Sequence, residues 1–295
     1  MLNIKIILLL LFVLFLSCSE KSNLIFNPDN SFFNSSFNFK GTNETLDIIT
    51  WNIENYPKHE LTNNYINEII DSLNVDIIAL QEIEDNVSFN DLITSLNGWS
   101  GYRASSASYD MNLAYLYKTS EISMINFNEI FSNDAWSFPR SPLVLEFIYK
   151  NQEFIIINNH FKCCSGDDEE SRRLSASNLL YNYINANLEH KKVIVLGDFN
   201  DLLNDNEINI FENFLDDNQN YSFTDYNIAI SSDQYWSFPS WPSHLDHILI
   251  TNELFNDEIS TNTIMIDYSL NGGLSTYDYY ISDHRPVGIK LFFNP

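Results

Sequence analysis

The sequence predicts an α/β fold in which two mixed β-sheets pack face to face with helices outside. Three observations carry this. From Leu46 onward, short apolar, β-branched runs alternate with stretches of helical spacing. Some neighbouring runs are separated by hairpin-length connections and others by helical crossovers, which mixes antiparallel with parallel pairing. The chain is 44% hydrophobic, with 22 Phe and 16 Tyr in 295 residues, enough to fill a large core.

The elements follow in order. Met1 to Lys5 carry one positive charge, and Ile6 to Leu16 form an unbroken apolar run. That run is too short to span a bilayer as a helix and suits the core of a signal peptide. Ser17-Cys18 comes next and resembles the lipobox of bacterial lipoproteins, although Phe15 stands where Leu is usual. Residues 1–18 are therefore expected to be a lipoprotein signal ending at an acylated Cys18. The protein would then be an extracytoplasmic, membrane-anchored lipoprotein in the periplasm or at the cell surface. Ordinary secretion is the alternative. Residues 19–45, rich in Asn, Ser and Phe, are expected to be a flexible tether, with room for a few phenylalanines to dock.

"LDIITWNI" (46–53) is the first strand, and apolar positions Tyr65, Ile66, Ile69, Ile70 and Leu73 mark a helix from about Leu61. "VDIIALQEI" (75–83) is a strand, and "FNDLITSLN" (89–97) a short helix capped near Ser88. "NLAYLYK" (112–118), "LVLEFIY" (143–149) and "EFIIINNHF" (153–161) are strands. A helix runs from about Asp168 to Glu189, with acids in its first turn where the helix dipole favours them. "KVIVLGDF" (192–199) is a strand, "NEINIFENFL" (206–215) a helix, and "LDHILIT" (245–251) and "PVGIKLF" (286–292) strands. No Pro/Gly linker divides residues 46–295, so they are expected to form one domain.

Composition excludes some functions. With 15 Lys and Arg against 40 Asp and Glu, the net charge is −25, and no basic run exists. Tight, non-specific nucleic-acid binding needs a basic face, so it would require metal ions to screen this field. Beyond the signal only Cys163 and Cys164 remain. Adjacent thiols make neither an ordinary cross-link nor a good zinc site, and read as two small loop residues.

The unusual polar residues fall at strand ends: Asn52, Gln81 and Glu82, Asn159 and His160 with Lys162, Asp198 with Asn200, Asp246, and Asp283 with His284. If those ends converge, Glu82, Asp198, Asp246 and Asp283 form a cluster of carboxylates that repel and raise one another's pKa. A hard divalent cation relieves that repulsion. Oxygen donors without Cys favour Mg²⁺, with Mn²⁺ or Ca²⁺ as alternatives, over zinc.

The ordered set "TWNIEN", "LQEI", "FPRSPL", "NNHFK", "GDFND", "HLDHILI" and "SDHRPV" resembles the motifs of the endonuclease/exonuclease/phosphatase superfamily. That group includes DNase I-like nucleases, abasic-site endonucleases, inositol-phosphate phosphatases and bacterial sphingomyelinases. The resemblance spans residues 46–293, and "NNHFKCCSGDDEESRRLSASNLL" resembles an exported bacterial subset. It implies a four-layer DNase I-like sandwich and a metal-dependent phosphoesterase. By resemblance Glu82 is the principal metal ligand, with Asn52 and Asp283 beside it. Asp198 and Asn200 surround the attacking water and the scissile phosphate, and His160 donates to the phosphate or the leaving group. Arg140 matches a phosphate-contacting position, with a structural ion pair as the alternative. Asp283 and His284 form a carboxylate–imidazole dyad, unless the ring pairs with Asp246, which the family pattern also permits. The imidazole takes a proton from water or, when protonated, holds a phosphate oxygen. His244 and His247 read as pocket residues behind the site.

Substrate stays open, because a fold does not fix function. A phosphodiesterase acting as an exported nuclease is the first expectation. The alternative is an extracytoplasmic phosphatase or a sphingomyelinase-like lipid-headgroup phosphodiesterase, which a membrane tether suits. A non-catalytic binding protein on this fold is a remote third, opposed by the complete motif set. Tyr235, Trp236, Phe238 and Trp241 ahead of Asp246 offer rings for a base, a sugar or choline, or simply pack in a loop. A monomer is expected.

Overall fold

The structure, a computed structural model, describes residues 31–107, 110–205 and 207–293. The expected signal, Cys18 and the tether up to residue 30 lie outside these residues. In chain order the elements are β1 (Thr45–Tyr56), α1 (Thr62–Leu73), β2 (Ile77–Ile83), α2 (Asn86–Ser95), β3 (Trp99–Arg103), β4 (Asn112–Lys118), β5 (Ser123–Glu129), β6 (Leu143–Tyr149), β7 (Gln152–His160), α3 (Asp167–Asn187), β8 (Val193–Asp198), α4 (Glu212–Asp216), β9 (Tyr221–Phe223), α5 (Tyr226–Ala229), β10 (Asp246–Thr251), β11 (Glu258–Thr263), α6 (Ile266–Ser269), α7 (Gly273–Tyr280) and β12 (Val287–Phe292).

The strands form two six-stranded sheets, ordered β11-β12-β1-β2-β4-β3 and β5-β6-β7-β8-β10-β9. Each sheet has one parallel pair at its centre, β1 with β2 and β7 with β8, and antiparallel pairs elsewhere. Helices α1 and α3 are the crossovers that parallel pairing requires.

Side chains alternate across each strand, so the apolar runs bury both faces. Between the sheets, Ile48, Ile77, Ala79 and Ile289 meet Leu145, Ile156, Leu196 and Ile248. On the outer face of the first sheet, Ile49, Trp51 and Ile78 pack on Ile66, Ile69 and Leu73 of α1 and on Tyr277 of α7. On the outer face of the second, Ile157, Val195 and Leu249 pack on Ala176, Leu180 and Ile184 of α3. These are the four layers expected: helices, sheet, sheet, helices. A polar clasp joins the two sheets: Gln81 Nε2 donates to Asn158 Oδ1 at 2.7 Å, and Asn158 Nδ2 donates to the carbonyls of Leu80 and Ala114.

Several expectations need correction. Residues 32–45, the later part of the expected tether, lie against the domain. Phe32 stacks on Tyr65 at 3.9 Å, Phe33 bridges Leu270, and Phe39 is 3% exposed. From Phe32 onward the chain is one unit. Helix α2 is capped by Asp85, which accepts from Ser88 N–H at 2.6 Å, so it begins at Asn86 rather than beyond Ser88. The helix expected over 206–215 shrinks to Glu212–Asp216, because Asp205 and Asn209 accept the N–H groups of Glu207 and Phe211 and fold the preceding chain into turns. Strands β3, β5, β9 and β11 were not expected, and they are the four edges of the two sheets.

Candidate active site

The topology explains why polar strand ends meet. The parallel pairs β1/β2 and β7/β8 finish at one edge of the sandwich, carrying Asn52, Glu82, His160 and Asp198. Strands β10 and β12 run antiparallel to those neighbours, so they begin at the same edge and bring Asp246 and the Asp283-His284 segment there. Register places Asn52 beside Gln81, and Asp198 between His160 and Asp246.

The side chains make a connected set. His284 Nδ1 lies 2.7 Å from Asp246 Oδ2, while its Nε2 lies 3.9 Å from both Asp198 Oδ2 and Asp283 Oδ1. The ring is therefore oriented by Asp246 and not by its neighbour Asp283, which resolves the two pairings in favour of Asp246. Side chains of adjacent residues leave the backbone in different directions. Asp283 stands at the rim, where its N–H donates to Glu54 Oε2 at 3.0 Å and Glu54 in turn pairs with Lys58. His160 Nε2 sits 3.5 Å from Asp198 and 3.8 Å from Glu82. Asn52 Nδ2 donates to Asp198 at 3.0 Å and to Glu82 at 3.3 Å, and its side-chain Oδ1 accepts Glu54 N–H. Thus placed, Asn52 tethers the two carboxylates through its amide and does not offer them an oxygen. Asn200 N–H donates to Asp198 Oδ1 at 2.9 Å.

The "SDHR" segment is pinned at each step. Ser282 Oγ donates to the Asn52 carbonyl at 2.6 Å and accepts His284 N–H. The Tyr277 hydroxyl donates to the His284 carbonyl at 2.6 Å, and Arg285 clamps Asp267 with two hydrogen bonds. Phe238 covers the His284 ring at 4.8 Å between centroids. Four residues around the site have left-handed backbones: Glu54, Asn55, Glu82 and Asn200. Such conformations are disfavoured by about 1–3 kcal/mol each and cluster at functional sites.

Electrostatics follow from burial and crowding. Burial, with Asp246 nearby, pushes Asp198 up to about 7. Burial and the charges of Glu54 and Glu82 push Asp283 up to about 6. Burial works against a charged ring at His284, but Asp246 and Asp198 outweigh it and lift the imidazole to about 10. His160 is held well below the ordinary imidazole value, by burial first and then by the charges of Arg140 and His284.

A divalent cation fits this donor set. Asp198, Asp246 and His284 bring their ligand atoms within 4.8 Å of one another, and the charge of Glu82 is felt at Asp283. The buried Oδ1 of Asp246 has no partner among the described residues. The donors are oxygens with neutral His160 and no thiolate, which suits Mg²⁺, Mn²⁺ or Ca²⁺.

A second buried cluster lies behind the first. Asp225 Oδ2 accepts from His247 Nδ1 at 2.6 Å and from His244 Nε2 at 3.1 Å, and its Oδ1 accepts Ile248 N–H. His247 Nε2 donates to the Asp201 carbonyl at 2.9 Å, so both of its nitrogens carry protons and the ring is charged. His244 Nδ1 accepts Ser237 N–H, so that ring is neutral. The Ser237 hydroxyl accepts the N–H groups of Leu245 and Asp246. Sequence reading placed His244 and His247 behind the site but missed Asp225, which lies in a loop. Two histidines flanking an acid in "HLDH" were the available sign that another acid must be buried beside them.

The profile of the Endonuclease/Exonuclease/phosphatase family matches residues 49–284. No curated protein matches the chain. Many solved structures are similar, among them the following three. D. rerio TDP2, complexed with a single-strand DNA product, is 14% identical over 84% of this chain and 99% of that one, with TM-score 0.68. The human Nocturnin catalytic domain with a bound sulfate anion is 19% identical over 85% and 94%, with TM-score 0.64. The mannosyl-6-phosphatase of Bacteroides thetaiotaomicron is 16% identical over 84% and 100%, with TM-score 0.63. At these identities the likeness is one of fold.

Proposed function

Because the chain belongs to the endonuclease/exonuclease/phosphatase family of phosphate-ester hydrolases, we propose that it is a divalent-metal-dependent phosphodiesterase. The observation that carries this reading is the His284 ring, buttressed by Asp246 on one side and turned toward Asp198 on the other. Glu82 with Asp283 would hold the cation, Mg²⁺ in the first instance. When bound, the ion polarises the phosphoryl group and offsets its charge.

The protein residues supply the rest. Asp198, steadied by Asn200 N–H and the Asn52 amide, accepts a proton from the attacking water. His284 donates Nε2–H to a phosphoryl oxygen and meets the charge that grows there. Its ring cannot rotate away while Asp246 holds Nδ1. Neutral His160 donates a second hydrogen bond to the phosphate. No nucleophilic Ser or Cys is needed.

A phosphatase, or a lipid-headgroup phosphodiesterase, is the second reading. The net charge of −25 supports it, because an acidic surface opposes long polyanions. The apolar run before Cys18 supports a lipid-anchored, extracytoplasmic placement that suits either substrate. The test is turnover of bis(p-nitrophenyl) phosphate and p-nitrophenyl phosphate by the full chain, with Mg²⁺ or with EDTA. The expected result is diester cleavage that EDTA abolishes. Cleavage of the monoester alone would replace the proposal with the phosphatase reading, and turnover in EDTA would remove the metal.

A further inference from the structure

A pocket of about 260 Å³ opens next to the site on the His160 side, with Arg140, Lys162 and Arg172 on its walls and Met111, Pro139 and Cys163 between them. Three of the chain's 15 basic residues thus share one pocket in a protein that carries 40 acidic ones. The arginines differ in how they are used. Arg173 and Arg285 are locked to the buried carboxylates of Asp201 and Asp267, and Arg103 is occupied by the carbonyls of Ile83, Ala104, Glu84 and Asp110. Arg140 is 9% exposed, yet among the described residues its guanidinium meets only Met111 Sδ, at 3.5 Å. Arg172 donates to the carbonyls of Trp136 and Ala135 and has no carboxylate partner among the described residues. A buried guanidinium without an anion is unfavourable by itself, and a planar fork of donors matches phosphate oxygens. Lys162, 4.0 Å from Glu169, follows Phe161, whose N–H donates to the Asp198 carbonyl and whose carbonyl accepts from Asn200 Nδ2, so one wall of the pocket is tied directly to the site.

We propose that this pocket is a second anion subsite, which holds a phosphate of the substrate next to the one that is cleaved. The proposal rests on the phosphodiesterase reading and narrows it. The preferred substrate is a short phosphodiester whose one arm ends in, or continues to, another phosphate. Local cations admit that group, while the acidic surface elsewhere disfavours a long duplex.

The test compares three thymidine dinucleotides, one unmodified, one with a 5′-phosphate and one with a 3′-phosphate, as substrates of the full chain and of Arg172→Gln with Mg²⁺. One phosphorylated dinucleotide should be cleaved with kcat/KM higher by about 10- to 100-fold, the range of one or two charge-assisted hydrogen bonds. In Arg172→Gln that ratio should fall toward one. A ratio near one in the parent, or a ratio that Arg172→Gln does not change, overturns the subsite and leaves the phosphodiesterase reading intact. Cleavage of none of the three overturns both.

Discussion

Asp246 and His247 are neighbours on β10 and end in opposite environments. Asp246 faces the site and holds His284. His247 faces the other way and is held by Asp225. Both clusters contain buried carboxylate and imidazole, and each brings its ligand atoms close enough for a metal ion. They differ in satisfaction. Around Asp225 every imidazole nitrogen has a partner, and the two rings overcome burial and hold the carboxyl below its ordinary range. Around His284, acids outnumber cations, Asp198 and Asp283 are pushed up, and Asp246 and His160 keep unpartnered atoms. Similar residues therefore make a closed buttress in one place and an incomplete, reactive set in the other. Residue type alone does not separate the two, but a count of hydrogen bonds does.

His284 is the position at which a single change should cost the most activity. His284→Ala should lower kcat on a phosphodiester by about 10²–10⁴-fold, the usual range for a positioned acid–base group, with the circular dichroism spectrum unchanged. Retained turnover would remove His284 from the chemistry. On the buttress side, Asp225→Ala leaves a charged His247 buried without its partner. It should lower unfolding stability by about 3–5 kcal/mol, read from urea denaturation. A loss within about 0.5 kcal/mol, the level of an ordinary surface change, would mean that the cluster carries no structural load.

Glu82→Gln should weaken Mg²⁺ or Mn²⁺ binding by at least about tenfold in calorimetry, since even outer partners of metal ligands have effects of that size. Unchanged affinity would move the ion elsewhere. The two charged partners of the buttress also make its stability depend on pH. Asp225 is depressed, so its contribution is present above the ordinary carboxylate range and lost as pH falls through its lowered value. His247 is raised, because Asp225 outweighs the burial that opposes its charge. Its contribution is complete below the ordinary imidazole value and lost as pH rises through the raised one. The stability gap between the parent and Asp225→Asn should therefore be widest between about pH 4 and 6.5 and narrow toward alkaline pH. A gap that stays constant into the alkaline range would count against a charged His247.

Central strands were plain in the sequence and edge strands were not. "NLAYLYK" and "LVLEFIY" are apolar because they are covered on both faces, and their limits match β4 and β6. β5 is largely open to solvent, β11 is polar and half-buried, and β9 has three residues, so periodicity had little to register. The site followed from the central strands, since Glu82, His160, Asp198 and Asp246 each sit at an end of one. What escaped reading depends on side-chain direction and long-range contact. The partner of His284 lies 38 residues away, although an aspartate stands next to it in sequence. Asp225 belongs to no strand end and becomes meaningful only when β10 places His247 over it.

The most direct measurement is made on Asp198→Asn in EDTA and in Mg²⁺, with turnover and urea midpoint taken on the same preparation. Asp198 is disfavoured as an anion in the metal-free fold, so asparagine should leave the EDTA midpoint equal or higher. Turnover in Mg²⁺ should fall by at least about 100-fold. Full turnover in that variant would contradict the account, because the edge where the two sheets' strand ends meet would then not be where phosphate esters are cleaved.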